Sequence, residues 1–118
     1  MPDLQTVIAY METTTEDSWQ TGTVRSKDGT KNCFFGHLFA MGGSDEQGDL
    51  LWHWFEDRWA TTYMIYPVND GENPDYPQPT PKQRILAYLR DLTDGTAKST
   101  PVLMNEQYEY CRANGRGE

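Results

Sequence analysis

Large apolar residues are scarce in this chain. Leu, Ile, Val and Phe together fill nineteen of 118 positions, against a net charge of -8. That composition taken alone favours disorder. Cysteine is as sparse. Cys33 and Cys111 lie far apart and form no C-x-x-C pair, which excludes a disulfide framework or a zinc ribbon. The expectation is two reduced thiols in a cytoplasmic protein. No apolar run approaches the roughly 18 residues of a membrane span, and Met1–Leu4 carries no charged-then-apolar leader. Basic residues are few, Lys+Arg 10 against Asp+Glu 18, so direct binding to a phosphate backbone is excluded. A Gly-rich phosphate loop is also missing, because Gly42-Gly43 closes an apolar segment instead of opening one.

Aromatic residues are what the chain has in quantity. Four Trp, seven Tyr and four Phe make 13% of it, and disordered chains are poor in these types. The length fits one domain with an aromatic-rich core.

Periodicity supplies the elements. Leu4, Val7, Ile8 and Met11 fall at i, i+3, i+4, i+7, one stripe of a helix over Asp3–Thr13 with Asp3 as its cap. Thr21, Thr23 and Val24 read as extended, and Asp28-Gly29 as the turn of a small β-hairpin near residues 21–31. Asn32 and Gly42-Gly43 bracket an apolar helix, Cys33–Met41, whose Gly36 implies close approach of another backbone. Ser44–Gly48 reads as an acidic loop and Asp49 as the cap of a helix running from Leu50 to Tyr63. Leu51, Trp52, Phe55 and Trp59 form its core face. Met64–Val68 reads as extended, with Pro67 ruling out a central strand. Asn69–Pro79, with Pro74, Pro77 and Pro79, is a stiff surface loop or lid. Thr80, Pro81 and Gln83 open a helix that Ile85, Leu86, Leu89 and Leu92 carry to a stop at Asp94-Gly95. A last short helix is expected over Asn105–Cys111, with Tyr108 and Cys111 inward. The expectation is a mainly α, compact single domain of four to five short helices over residues 1–111, followed by a flexible C-terminal tail, 112–118.

Four short motifs occur in order: Trp19-Gln20-x-Gly22, Cys33-x-x-Gly36 at the start of an apolar helix, Asn69-Asp70, and Thr80 opening a helix. The arrangement resembles a small family of single-domain helical proteins common in actinobacteria and the phages that infect them, over roughly Val7 to Leu92. Two departures stand out. Nine residues with three prolines separate Asn69-Asp70 from Thr80, where the family has a close spacing. Phe34, Phe35 and Phe39 replace its small aliphatics. The resemblance implies a compact helical fold and carries no assigned activity. Phage origin would imply a small acidic protein that acts by binding a host protein in the host cytoplasm.

Candidate chemistry is limited. Cys33 at a helix start could be an activated thiol, and His37, His53, Asn69 and Asp70 could supply its partners. A buried structural cysteine is the simpler reading. Cys33 and His37 with His53 and Cys111 match no zinc-ligand spacing. Carboxylates pair at Glu16/Asp17, Asp45/Glu46/Asp49, Glu56/Asp57 and Asp91/Asp94, all on faces expected to be solvated. They could mimic nucleic-acid phosphates only if folded into two regular rows. Partner binding is expected on the proline loop, with Tyr66 and Tyr76 as aromatic anchors and Asp70, Glu72 and Asp75 as charges. The expectation is a non-enzymatic acidic protein that binds a host protein with a basic surface, with no cofactor, metal or membrane. The alternatives are a Cys33-dependent hydrolase or redox protein and an acidic nucleic-acid mimic.

Overall fold

The computed structural model describes residues 2–59 and 62–97. Five α-helices follow in order: α1 (Leu4–Thr13), α2 (Phe34–Met41), α3 (Asp45–Arg58), α4 (Thr62–Asp70) and α5 (Pro81–Asp94). The mainly helical class is the one read from the sequence. The expected helix at Asn105–Cys111 and the tail 112–118 lie outside the described residues, and so does Cys111.

Helix α1 starts where its cap dictates. The Asp3 carboxylate accepts the Thr6 amide N–H at 2.8 Å, which holds its carboxyl below the usual range. Leu4, Val7, Ile8 and Met11 are buried against α5. Helix α5 opens as its sequence indicates, with Thr80 Oγ1 accepting Gln83 N–H and Pro81 in the first turn. It closes on Gly95 at φ +73°, a left-handed position that suits glycine.

Helix α2 is buried along Phe34–Leu38 and forms the centre of the molecule, with α3 and α4 packed on it. The core is aromatic. Phe34 meets Phe55 at 4.9 Å between ring centroids, and Phe35 stacks on Trp52 at 4.7 Å. The edge of Phe35 also meets Tyr66 at 5.9 Å.

Three local readings are corrected. Helix α3 begins at Asp45, because Ser44 caps it by accepting Gln47 N–H at 3.2 Å. Gly48, read as part of a loop, is a packing glycine inside this helix. A Cβ there would sit 2.6 Å from the Phe39 carbonyl oxygen, so only glycine permits the close α2–α3 crossing. Residues 62–70 are helix α4, not an extended linker, although Pro67 lies inside it. Ile65, Tyr66 and Val68 are completely buried there. Burial of that whole face outweighs the roughly 3 kcal/mol cost of an interior proline. The expected hairpin is only a pair of isolated bridges, Arg25 with Asn32 and Trp19 with Asn32. Among the described residues there is no strand.

Candidate functional site

Three of the four sequence motifs meet at one junction, and the fourth, Thr80, only opens the helix that supplies Arg84. Asn69, at the end of α4, accepts the Phe34 amide N–H at 3.0 Å through Oδ1. Its Nδ2 donates to the Gln20 carbonyl at 2.8 Å and to Asp70 Oδ1 at 2.9 Å. Asp70 Oδ1 also accepts the Gly22 amide at 3.3 Å. Gly71 follows at φ +82° and closes α4 by bonding back to Val68. Arg84 reaches over from α5 and is almost fully buried. Its guanidinium donates to the carbonyls of Val68, Asn69 and Gln78 at 2.8–3.0 Å. Burial lowers its pKa while Asp70 opposes that shift. These polar groups answer one another across helix ends, so the junction is structural.

Cys33 is buried, and the residues expected to partner it make other contacts or lie apart from it. Cys33 caps the start of α2 and has no solvent-exposed surface. His37, one turn on, donates from Nε2 to the Ser18 carbonyl at 3.0 Å and packs on the Trp19 ring at 4.4 Å. Burial lowers its pKa, with the Ser18 bond opposing and Lys82 adding to the shift. His53 instead points to solvent beside Glu56 on α3. The Asn69 carboxamide is committed to Phe34 and Gln20. Among the described residues no cluster of three His, Cys, Asp or Glu side chains could hold a metal ion.

The two tyrosines expected to anchor a partner are core residues. Tyr66 is fully buried on α4, and Tyr76 is 2% exposed. Tyr76 turns inward, donates to Asp91 Oδ2 at 2.8 Å and meets the Tyr88 ring edge-on at 5.2 Å. Neither ring is presented to solvent. Asp70 is half-buried in the junction, while Glu72 and Asp75 are exposed. The proline loop is well anchored. Glu72 N–H bonds the Pro67 carbonyl at 2.8 Å, Tyr76 N–H bonds the Asn73 carbonyl at 3.1 Å, and Arg84 holds Gln78.

Exposed aromatic surface lies on α3 instead. Gly48, Leu51 and Phe55 face the core, while Trp52, Trp54 and Trp59 are each half-buried. Leu50 is 46% exposed, and no other large apolar side chain among the described residues is as open. Leu50, Trp54 and Arg58 stand at i, i+4 and i+8 and form one outer ridge. The ridge runs into a groove of about 480 Å³ lined by Leu4, Gln5, Trp54, Arg58, Trp59 and Thr93. The Arg58 guanidinium lies 5.6 Å from the Trp59 ring centroid. Trp59 Nε1 is enclosed and has no acceptor among the described residues. On the other flank of α3, Trp52 forms one wall of a second cleft, of about 460 Å³, with Val24, Arg25, Phe39 and Asp45.

Sequence reasoning assigned Trp52 and Trp59 to the core and missed this ridge. The missed signal was Leu50 preceding Trp54 by one turn, about 100° around the helix from Leu51 and Phe55. Comparison of the chain with protein-family models, with curated proteins and with solved structures finds no match.

Proposed function

We propose that the protein is a non-enzymatic protein-binding domain that engages a partner through the outer ridge of α3 and the groove beside it. The observation that carries this reading is the line of Leu50, Trp54 and Arg58 running into the pocket floored by Trp59. Trp and Arg at the centre of a patch, next to an exposed Leu, have the composition of an interface hot spot. Glu72 and Asp75 project from an anchored loop and, with the net charge of -8, favour a partner with a basic surface. The resemblance to proteins of actinobacteria and their phages makes a host protein, met in the host cytoplasm, the natural partner.

Affinity capture from actinobacterial lysate tests the reading when surface variants are compared side by side. Leu50→Glu and Trp54→Ala should each release the captured protein while the far-ultraviolet circular dichroism stays that of the parent. Glu72→Gln with Asp75→Asn should slow capture and weaken its salt dependence. A partner retained in full by Leu50→Glu would remove α3 from the interface.

A further inference from the structure

The second cleft has a charge arrangement that the proposed partner site does not use. Its apolar lining comes from Val24, Phe39, Ala40 and Trp52. One bank is the loop that supplies Arg25 and carries Lys27 and Lys31, all three exposed. Asp28 lies among these cations but is turned onto its own loop. Its carboxylate accepts Ser26 Oγ at 2.7 Å, and the Thr30 amide and hydroxyl at 3.1 and 2.7 Å. The other bank is the first two turns of α3, with Asp45 and Asp49 exposed on the Trp52 side. Among the described residues no ion pair engages any of the five side chains Arg25, Lys27, Lys31, Asp45 and Asp49. An apolar strip therefore lies between a loop of net positive charge and an acidic turn, with no ion pair bridging them among the described residues.

We propose that this cleft is a self-association surface whose occupant is a second copy of the chain. A two-fold interface requires a self-complementary patch, in which each element faces its opposite on the partner. Rotation by 180° about an axis through the cleft exchanges the two banks. The basic loop of one copy then meets the acidic turn of the other, twice, and the apolar linings of the two clefts face each other between them. Each copy carries a net charge of -8, so the copies repel at long range. Local pairing of the banks is what orients the encounter and offsets that repulsion. The surface lies on the opposite flank of α3 from Leu50, Trp54 and Arg58, so a dimer leaves both partner ridges open.

Sedimentation equilibrium of the full chain over a micromolar-to-millimolar range tests this. The parent should dimerise. Arg25→Glu with Lys31→Glu makes both banks acidic, and Asp45→Lys with Asp49→Lys makes both basic. Each double variant alone should self-associate at least about tenfold more weakly. An equimolar mixture of the two should recover a one-to-one dimer, because every bank again meets its opposite. Ala40→Glu, which places a charge on the apolar strip at an exposed position, should also yield monomer with an unchanged circular dichroism spectrum. A parent that stays monomeric to millimolar concentration overturns the proposal. So does a dimer that survives either charge reversal, or a mixture that fails to associate.

Discussion

The carboxamide of Asn69 caps a helix thirty-five positions earlier in the chain, accepting the Phe34 amide N–H at 3.0 Å in a buried setting. Cys33, the residue at the cap position, makes no side-chain capping bond to α2. The cap therefore arrives from α4, and the same side chain ties down the Gln20 carbonyl at 2.8 Å. One residue thus joins the segment after α1, the start of α2 and the end of α4. Asn69→Ala would strand the buried Phe34 N–H and the half-buried Gln20 carbonyl, and an unsatisfied group costs about 1–3 kcal/mol where it is buried. Urea denaturation should show a loss of about 2–5 kcal/mol, a large share of the stability of so small a domain. A loss under about 1 kcal/mol would mean that water replaces the carboxamide and that the junction is not closed.

Gly36 carries the second prediction. Alanine in a helix interior is normally worth about 1 kcal/mol over glycine. Here a Cβ would lie 2.4 Å from the Val24 carbonyl oxygen and 2.6 Å from Asn32 Oδ1. Val24 O is held by the Cys33 amide at 2.9 Å, and Asn32 Cβ would also lie only 2.7 Å away, so turning the Asn32 carboxamide aside does not relieve the clash. Steric conflict of this kind costs about 1–3 kcal/mol, so the propensity gain is reversed. Gly36→Ala should lower Tm by several degrees in calorimetry, whereas a raised Tm would show that the 24–32 segment yields easily.

Much of this fold is legible in the sequence, and the failures share a cause. Helices α1 and α5 are marked by caps, stripes and stops within a dozen residues each, so local rules suffice. Gly36 also reads correctly, as a site of close backbone approach. Helix α4 is hidden because Pro67 and the flanking loop argue against it locally, while complete burial of Ile65, Tyr66 and Val68 decides it. The start of α3 is hidden for a similar reason. Gly48 looks like a breaker until Phe39 is placed against it. On the functional side, Glu72 and Asp75 are surface residues as read, but the inward turn of Tyr76 depends on Asp91 and Tyr88, fifteen and twelve positions away. Periodicity cannot register such a contact.

His37 sets a pH dependence on the acid side. In the unfolded chain it titrates near its ordinary value of 6.5, whereas burial holds it lower in the fold. The groups facing it are the Ser18 carbonyl, the Trp19 ring and Lys82 across from α5. No carboxylate is among them to favour the imidazolium. Below pH 6.5 the unfolded state takes up the proton first, so stability rises with pH through that window. The His37 contribution is complete above about 6.5, falls as the pH drops below it, and levels off once the folded imidazole protonates. His37→Gln should flatten the Tm profile between pH 7.5 and 5 relative to the parent. A parent profile with no decline in that range would show that His37 protonates as readily in the fold as outside it.

Tyr76 and Tyr88 make the sharpest contrast, because their rings meet each other at 5.2 Å and 84° while their hydroxyls are treated oppositely. Tyr76 donates to Asp91 Oδ2 at 2.8 Å. The Tyr88 hydroxyl is buried and meets no hydrogen-bond partner among the described residues. Tyr76→Phe removes a charge-assisted bond and leaves a carboxylate short of a donor, at a cost of about 1.5–3 kcal/mol. Tyr88→Phe removes only a desolvated hydroxyl and keeps the ring contact, so it should be neutral or stabilising. The two variants separate again in alkali. Burial pushes the Tyr88 phenol from 10.0 up to about 12. The unfolded state loses that proton first, so the stability tied to a neutral Tyr88 is complete below pH 10 and is lost as the pH rises toward 12. Tyr88→Phe should therefore hold its Tm further into alkali than the parent does, and Tyr76→Phe should not. If Tyr88→Phe instead destabilises as much as Tyr76→Phe at neutral pH, the Tyr88 hydroxyl has a bound water or another acceptor, and the interior between α4 and α5 is wetter than its packing indicates.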